Sequence, residues 1–277
     1  MEDELKTWEG RIEGVDLDGP VRARLHLRKL DTTFSDPHLF LAKNDDAYVV
    51  KPRAGGTGSS EHKKRAIIAD QIIGRLGQAM RAPVMPVRRI CVPEHIVESN
   101  AELQNDDFPT GIAHACLYEP DTTKEDVQKG EKGVKHLSED NNRKRFAELA
   151  VLYGWAGFVH DQQFMYRVLN AGDGEKELER QVISFDHGHG LPGKQNWSIQ
   201  DLQEADAPSL DSVIRSVVDF EDEHLNDSGQ NLHEVSDDDI ASAVAAPPGS
   251  WGISVEERVE LAQYFESRRD QFVDKLL

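Results

Sequence analysis

Apolar and polar positions along the chain fall into two regimes. Residues 21–30, "VRARLHLRKL", alternate apolar and charged side chains, the period of a half-exposed strand. The stretch "HLFLAKNDDAYVVKP" at 38–52 reads as a strand, an Asn44-Asp45-Asp46 turn and a second strand, which is hairpin punctuation. A glycine-rich loop, "RAGGTGSSEHKK", comes next. Over 65–80, Ile68, Ile72, Leu76 and Met80 recur at four-residue steps, which predicts an amphipathic helix. "APVMPVRRICV" returns to strand character, with Pro83 and Pro86 confining its start to an irregular or edge position. A further apolar run, "GIAHACLYEP" at 111–120, closes on Pro120.

Beyond that point the pattern changes. Residues 121–142 are almost wholly polar and read as a mobile connector. From 143, "RKRFAELAVLYGWAGFV" places Phe146, Leu149, Ala150, Val151, Tyr153 and Trp155 around most of a helical circumference, as a core helix does. "FMYRVLN", the turn "AGDGEKELER" and a strand running into "QVISFDHGHG" at 181–190 predict a hairpin. From 199 onward acidic loops alternate with helical stretches, the last at 254–277. No internal repeat is present. The order is β-rich with one helix up to about residue 118, then mainly helical with one hairpin. That is an α+β pattern with two unequal lobes.

Composition narrows the function. At 277 residues the chain can bury a sizeable core. A formal net charge of −19 argues against nucleic acid as a partner, because phosphate binding needs clustered Lys and Arg. Two cysteines, Cys91 and Cys116, give neither a disulfide framework nor metal spacing, so a reducing compartment is expected. The first residues, "MEDELKTWEG", lack an apolar signal core. No run of about 18 apolar residues occurs. The expectation is a cytoplasmic protein with no membrane partner.

Four residues carry candidate chemistry. Lys51 ends a strand in "YVVKP", Asp70 lies on the following helix, Asp161 follows the core helix in "FVHDQQ", and Asp186 ends the hairpin strand in "SFDHG". Strand lysine, helix acid, loop acid and strand-end acid, in that order, suit phosphoryl transfer from ATP. The lysine steadies the α/β-phosphates, the helix acid holds the lysine, one aspartate orients the attacking hydroxyl, and the other binds Mg²⁺. In the loop between them, Gly55, Gly56 and Gly58 expose backbone N–H groups before a helix start, with Arg53, Lys63, Lys64 and Arg65 nearby. Such a loop suits anions.

These stretches resemble the HipA-like kinases. "AYVVKPRAGGTGSSEHKKRAIIADQIIGRLGQAMRAPVMPV" is similar to that family's strand lysine, glycine-bearing loop, acid-bearing helix and Pro-Val-Pro segment. "GWAGFVHDQQFMYRV" and "VISFDHGHGL" resemble its catalytic loop and its Asp-His-Gly metal-binding turn, a turn that phosphatidylinositol kinases share. The resemblance covers roughly residues 20–195. It implies a bilobal protein-kinase-like fold after an N-terminal extension of 1–20, with a β-rich N-terminal lobe at about 21–118 and a mainly helical C-terminal lobe at about 119–277. It also implies that Mg²⁺ assists transfer of the γ-phosphoryl of ATP to a hydroxyl acceptor, protein or small molecule. Lys51, Asp70 and Asp161 would carry the reaction. Gly55, Gly56 and Gly58 would cover the phosphates, the backbone around Ala115 and Leu117 would meet adenine, and Asp186 would hold the metal.

The sequence also departs from the family. Its catalytic loop has Asp-Arg-His and then an Asn as second metal ligand, whereas here Gln162 and Gln163 follow Asp161 and Tyr166 stands at the Asn position. A phenol is a poor Mg²⁺ ligand, so Gln163 is the substitute candidate. Asp70 stands where Glu is usual. Other readings stay open. Lys51 reads equally as a snorkelling surface lysine and Asp70 as a boundary acid beside Ala66, Ile73 and Gly77. A pseudokinase or nucleotide-binding module would keep the fold without the chemistry. His160, Asp161, Asp186, His187 and His189 could instead converge on a hydrolase metal. Under the kinase reading, the glycines after Asp186 let the chain turn away from the phosphates.

Overall fold

The computed structural model describes residues 2–30, 36–52, 60–120, 122–125, 136–138, 141–158, 163–169 and 179–277. The first regime of the sequence builds a closed barrel. Its strands are β1 (Val21–Lys29), β2 (His38–Ala42), β3 (Ala47–Lys51), β4 (Val87–Val92) and β5 (Gly111–Leu117), in the order β1-β2-β3-β5-β4. The expected hairpin at 38–52 forms, with Leu41 opposite Ala47 and Asp45 in the left-handed region at φ 66°. Closure comes from a short parallel pairing of Val21 with Ile90 and Arg22 with Cys91. Phe40, Tyr48, Val50, Ile90, Val92, Ala113 and Ala115 fill the interior.

Two five-residue helices that the pattern does not announce, α3 (Glu94–Glu98) and α4 (Ala101–Asn105), add Ile96 and Leu103 to this core. Helices that short show too little of a 3.6-residue period to be read. Asn100 caps α4 by accepting the Leu103 N–H (3.1 Å), which turns its amide nitrogen onto His26 Nδ1 (2.9 Å). His26 Nε2–H then donates to His38 Nδ1 (3.0 Å). Burial holds both imidazoles below the usual histidine range. A directed chain of neutral rings thus ties β1 and β2 to α4, and it takes up both ring nitrogens of His26 and Nδ1 of His38.

The larger core is helical. α2 (Ser60–Ala79) contributes Ile67, Ile68, Ile72, Ile73 and Leu76 to it, and α5 (Asn142–Ala156) is buried almost all round, as its apolar circumference predicts. α6 (Ile199–Gln203), α7 (Ser212–Val217), α8 (Asp222–His233), α9 (Asp237–Ala245) and α10 (Val255–Leu276) complete it. Capping boxes, Ser236 with Asp239 and Ser254 with Glu257, start α9 and α10. The last carbonyls of α5 are met by α10: Arg268 donates to Trp155 O and Gly154 O (both 2.7 Å), and the Tyr264 hydroxyl to Ala156 O (3.0 Å). Helix-end carbonyls have no partner within their own helix, so these bonds fix the crossing of α5 and α10.

One segment gains a helix the pattern does not announce, and another differs from expectation. The extension at 1–20 carries α1 (Glu2–Glu13), whose Trp8 and Ile12, one helical turn apart, pack into the helical core. Trp8 Nε1 donates to Glu266 Oε2 of α10 at 3.0 Å. Within the expected connector, β6 (Thr122–Glu125) pairs antiparallel with β7 (Phe164–Leu169), which pairs with β8 (Glu179–Ser184) as the predicted hairpin. An edge strand is held by ladder bonds more than by buried side chains, so a polar run can form one. Most of the connector, 126–135 and 139–140, lies outside the described residues.

Glu148 gives this core a testable pH response. It sits on α5 at 8% exposure, and burial pushes its carboxyl from 4.5 up to about 7, against the pull of Lys144 and Arg145. The native state therefore keeps a proton that the unfolded chain releases. This stabilisation is complete below about pH 4.5 and is lost as the pH rises through about 7. Glu148→Gln should gain about 2–3 kcal/mol over the parent at pH 8 and almost nothing at pH 4.5. Urea unfolding at both pH values checks this; a gain independent of pH would contradict it.

Candidate active site

The site forms where the barrel meets the helical core. Lys51 is the last residue of β3, and β3 lies between β2 and β5, with Lys51 directly opposite His114. Its side chain is only 12% exposed. Asp70, 1% exposed, lies on α2 beside it. Asp186 follows β8 at φ 59°, a left-handed conformation that an aspartate tolerates better than most residues. These three residues meet. Lys51 Nζ lies 2.7 Å from Asp70 Oδ2 and 2.5 Å from Asp186 Oδ1.

Asp70 is held by more than the lysine. Its Oδ1 accepts the His187 backbone N–H (2.8 Å), and its Oδ2 lies 3.0 Å from His114 Nε2. Burial alone would raise this carboxyl, but Lys51 and then His114 hold it well below the usual carboxylate range. For Lys51, burial favours the neutral amine, and Asp186 and then Asp70 outweigh it and push the ammonium well above the ordinary lysine range. One cation thus faces two carboxylates, an excess of one negative charge. Asp186 is the member open to solvent, its side chain 37% exposed.

The turn "DHGHG" is shaped by packing. His187 is buried, its Nε2 2.9 Å from Ser184 Oγ, and Ser184 in turn bonds the Tyr153 hydroxyl. Neither Gly188 nor Gly190 has positive φ. A Cβ on Gly188 would lie 3.1 Å from Ala66 O of α2, and one on Gly190 would lie 2.1 Å from the Phe158 ring. The chain turns here, with Gly190 N–H bonding His187 O at 3.0 Å, and the two glycines also let it approach α2 and Phe158. His187 meets Ser184 through Nε2 and Asp70 through its backbone N–H, with Nδ1 3.5 Å from Asp70 Oδ1. Among the described residues, neither group of His, Cys and carboxylate side chains close enough to hold a metal includes Asp186.

The other expected residues fall as follows. Gln163 lies beside Asp186, with Nε2 donating to Asp186 Oδ2 at 3.3 Å. Tyr166 does not face the site: it is 2% exposed, opposite Val182 in the sheet, with its ring edge-on to His136. Ala115 is buried in the barrel core, and Leu117 is half-buried where β5 leaves it. The N–H groups of Leu117 and Tyr118 are taken by Pro86 O (2.9 Å) and Ala47 O (2.8 Å). Asp161, Gly55, Gly56 and Gly58 lie outside the described residues.

Two site residues, His114 and Gln71, escaped the sequence reading. The Gln71 amide is satisfied with its nitrogen donating to His114 Nδ1 (2.9 Å) and Arg88 O (3.2 Å) and its oxygen accepting from Arg75 Nε (3.2 Å). The available signals were a histidine inside the apolar run "GIAHACL" and an Asp-Gln pair within an apolar helix. Buried polar groups inside such runs need partners. Cys116 adds little here, since burial and Asp70 push its thiol far above the usual range.

Known structures identify the frame. The chain superposes on the crystal structure of the Helicobacter pylori proinflammatory kinase CtkA with a TM-score of 0.56, at 11% identity, over 93% of this chain and 96% of that one. It superposes on the Golgi casein kinase with Mn/ADP bound with a TM-score of 0.54, at 11% identity, over 99% of this chain and 76% of that one. A second structure of the Golgi casein kinase gives 0.51 at 10% identity, over 99% and 75%. The chain has a protein-kinase-like fold. At such identity the likeness concerns the fold alone. No protein-family profile and no curated protein matches the sequence.

The triad predicts unequal costs of truncation. Asp70→Ala leaves Lys51 with only the partly solvated Asp186 and unpairs the buried His187 N–H and His114 Nε2–H, and should cost about 3–5 kcal/mol of stability. Asp186→Ala removes the partly solvated carboxylate and relieves the excess negative charge, so it should cost about 1 kcal/mol or less. Urea unfolding of the two variants compares them. Equal losses would mean that Asp70 is not the anchor of the site.

Proposed function

We propose that this protein is an ATP-dependent phosphotransferase of the HipA-like kinase type, moving the γ-phosphoryl of ATP to a hydroxyl acceptor. The observation that carries the reading is Lys51 held between Asp70 and Asp186 inside a protein-kinase-like fold. The HipA-like assignment rests on the motifs around these residues. In this reading the barrel and the helical body are the two lobes, and nucleotide lies between them. Nucleotide and divalent metal are carried over from the neighbour that holds Mn/ADP. The two free cysteines suit work in the cytoplasm.

Each residue then has a task. Lys51 steadies the α/β-phosphates, and Asp70 keeps the ammonium aimed. The backbone N–H groups of Gly55, Gly56 and Gly58, close to the start of α2, cover the phosphates. The β5 exit around Ala115 and Leu117 borders the adenine. Asp161 orients the acceptor hydroxyl and takes up its proton as the phosphoryl group transfers. Hard oxygen donors next to an excess negative charge fit a hard divalent cation. A bound Mg²⁺ would be held by Asp186 with the Gln163 carboxamide beside it, and would neutralise phosphate charge.

Label transfer from γ-labelled ATP, with calorimetric binding on the same preparations, tests the reading. The parent should transfer label, weakly, to itself or to a component of a lysate. Asp161→Asn should bind Mg²⁺–ATP like the parent and lose roughly 10²–10⁴-fold in transfer. Asp186→Asn should lose both transfer and Mg²⁺-dependent binding. Intact ATP binding without any transfer by the parent would make the protein a nucleotide-binding module. Transfer that survives Asp161→Asn would remove that residue as the base.

A further inference from the structure

The acid that meets Lys51 is an aspartate, one methylene shorter than glutamate, so something other than reach must keep it in place. Three groups besides the lysine face its two oxygens. Oδ1 takes the His187 N–H at 2.8 Å and lies 3.5 Å from His187 Nδ1, while Oδ2 lies 3.0 Å from His114 Nε2. His114 is fully buried in the middle of β5, opposite Lys51 on one side and Arg89 on the other. Its backbone is therefore fixed by two strands, and Gln71 and Asp70 constrain the ring. Because the Gln71 nitrogen donates to His114 Nδ1, that nitrogen is an acceptor and the ring proton is on Nε2, directed at Asp70. Gln71 is next to Asp70 on α2, so β5 grips α2 at two successive residues through one imidazole.

We propose that His114 is a positioning residue for the lysine: its Nε2–H, with the tautomer set by Gln71, holds Asp70 Oδ2 at Lys51. This rests on the phosphotransferase reading for its functional consequence but not for its geometry. Lys51 is now shared between two carboxylates. Once Asp186 is drawn to a metal, Asp70 alone orients the ammonium, and a short, unanchored aspartate would let it wander. Metal binding by Asp70, His114 and Cys116, which are close enough to one another for it, is the competing use of these side chains. It does not fit. Lys51 Nζ lies 2.7 Å from the Asp70 oxygen, and the Gln71 nitrogen donating to His114 Nδ1 leaves the ring proton on Nε2.

The test compares the parent with His114→Leu, which has no donor, and His114→Gln, whose side-chain N–H can reach where Nε2–H does. In the nucleotide-free protein, the Lys51 ammonium protons should give an exchange-protected NMR signal. That signal should persist in the Gln variant and shift and exchange faster in the Leu variant, where Asp186 still meets the ammonium but Asp70 has lost its donor. Mg²⁺–ATP affinity should fall about tenfold or more in His114→Leu and return to within about threefold of the parent in His114→Gln, since a hydrogen bond to a charged group commonly carries that much. Turnover at saturating ATP should change much less than the KM for ATP. If His114→Leu does not fold, Gln71→Leu serves instead, with ¹⁵N-histidine spectra expected to show His114 leaving the Nε2–H tautomer. An unchanged Lys51 signal and unchanged affinity in the Leu variant would overturn the proposal, as would an Nδ1–H tautomer in the parent. A parent that binds no nucleotide would end the phosphotransferase reading, while the Lys51 signal would still decide the role of His114.

Discussion

A buried carboxylate cannot stand alone, and Asp70 is the group around which this protein is assembled. An ionised acid out of water costs several kcal/mol even after relaxation unless donors surround it. Here the donors come from β3, β5 and the turn after β8, and the acid itself comes from α2. None of the four segments satisfies the charge locally. The barrel and the helical core are therefore joined by a requirement for neutralisation as well as by apolar contact.

Other bonds hold that junction at fixed spacing. Ser184, at the end of β8, donates its N–H to Pro83 O (2.7 Å) and accepts from Met85 N (2.8 Å), which straps the small sheet to the segment entering β4. The Trp251 indole N–H reaches Ile112 O of β5 at 2.9 Å. Near the start of α2, Arg65 stacks 4.5 Å over Trp197 and pairs with Glu257 at 2.5 Å. α2 is thus clamped close to its N-terminal end, at Asp70 and along its apolar face. A helix held in so many places delivers its acid to the lysine without needing a ligand to draw it in. On the proposed reading, the lysine and its acid are in place before nucleotide arrives.

The fold likeness to kinases at 10–11% identity has a physical basis in this arrangement. The frame depends on where strands pair and where one helix crosses the barrel, and many apolar side chains satisfy those demands equally well. The site is less permissive. Gly188 and Gly190 admit no Cβ without displacing Ala66 or Phe158, and Asp186 is presented by a left-handed turn.

By itself, the sequence determined what local pattern encodes. Alternation marked the hairpin of β2 and β3, the four-residue step marked α2, and the apolar circumference marked α5. Lys51 at a strand end and Asp70 on a helix could be placed from pattern, and it is the tertiary structure that joins them with Asp186. The tertiary structure alone decided the rest. His114 and Gln71 looked like interruptions of apolar runs until strand β5 and helix α2, 43 residues apart, met through them. The bond from His187 N–H to Asp70 spans 117 positions, and no periodicity reaches that far. Tyr166, aligned by motif with a metal ligand, turned into the core because strand register and burial outweigh position in a motif. α1 and β6 were likewise invisible: a docking face and a ladder edge have meaning only when the partner surface exists.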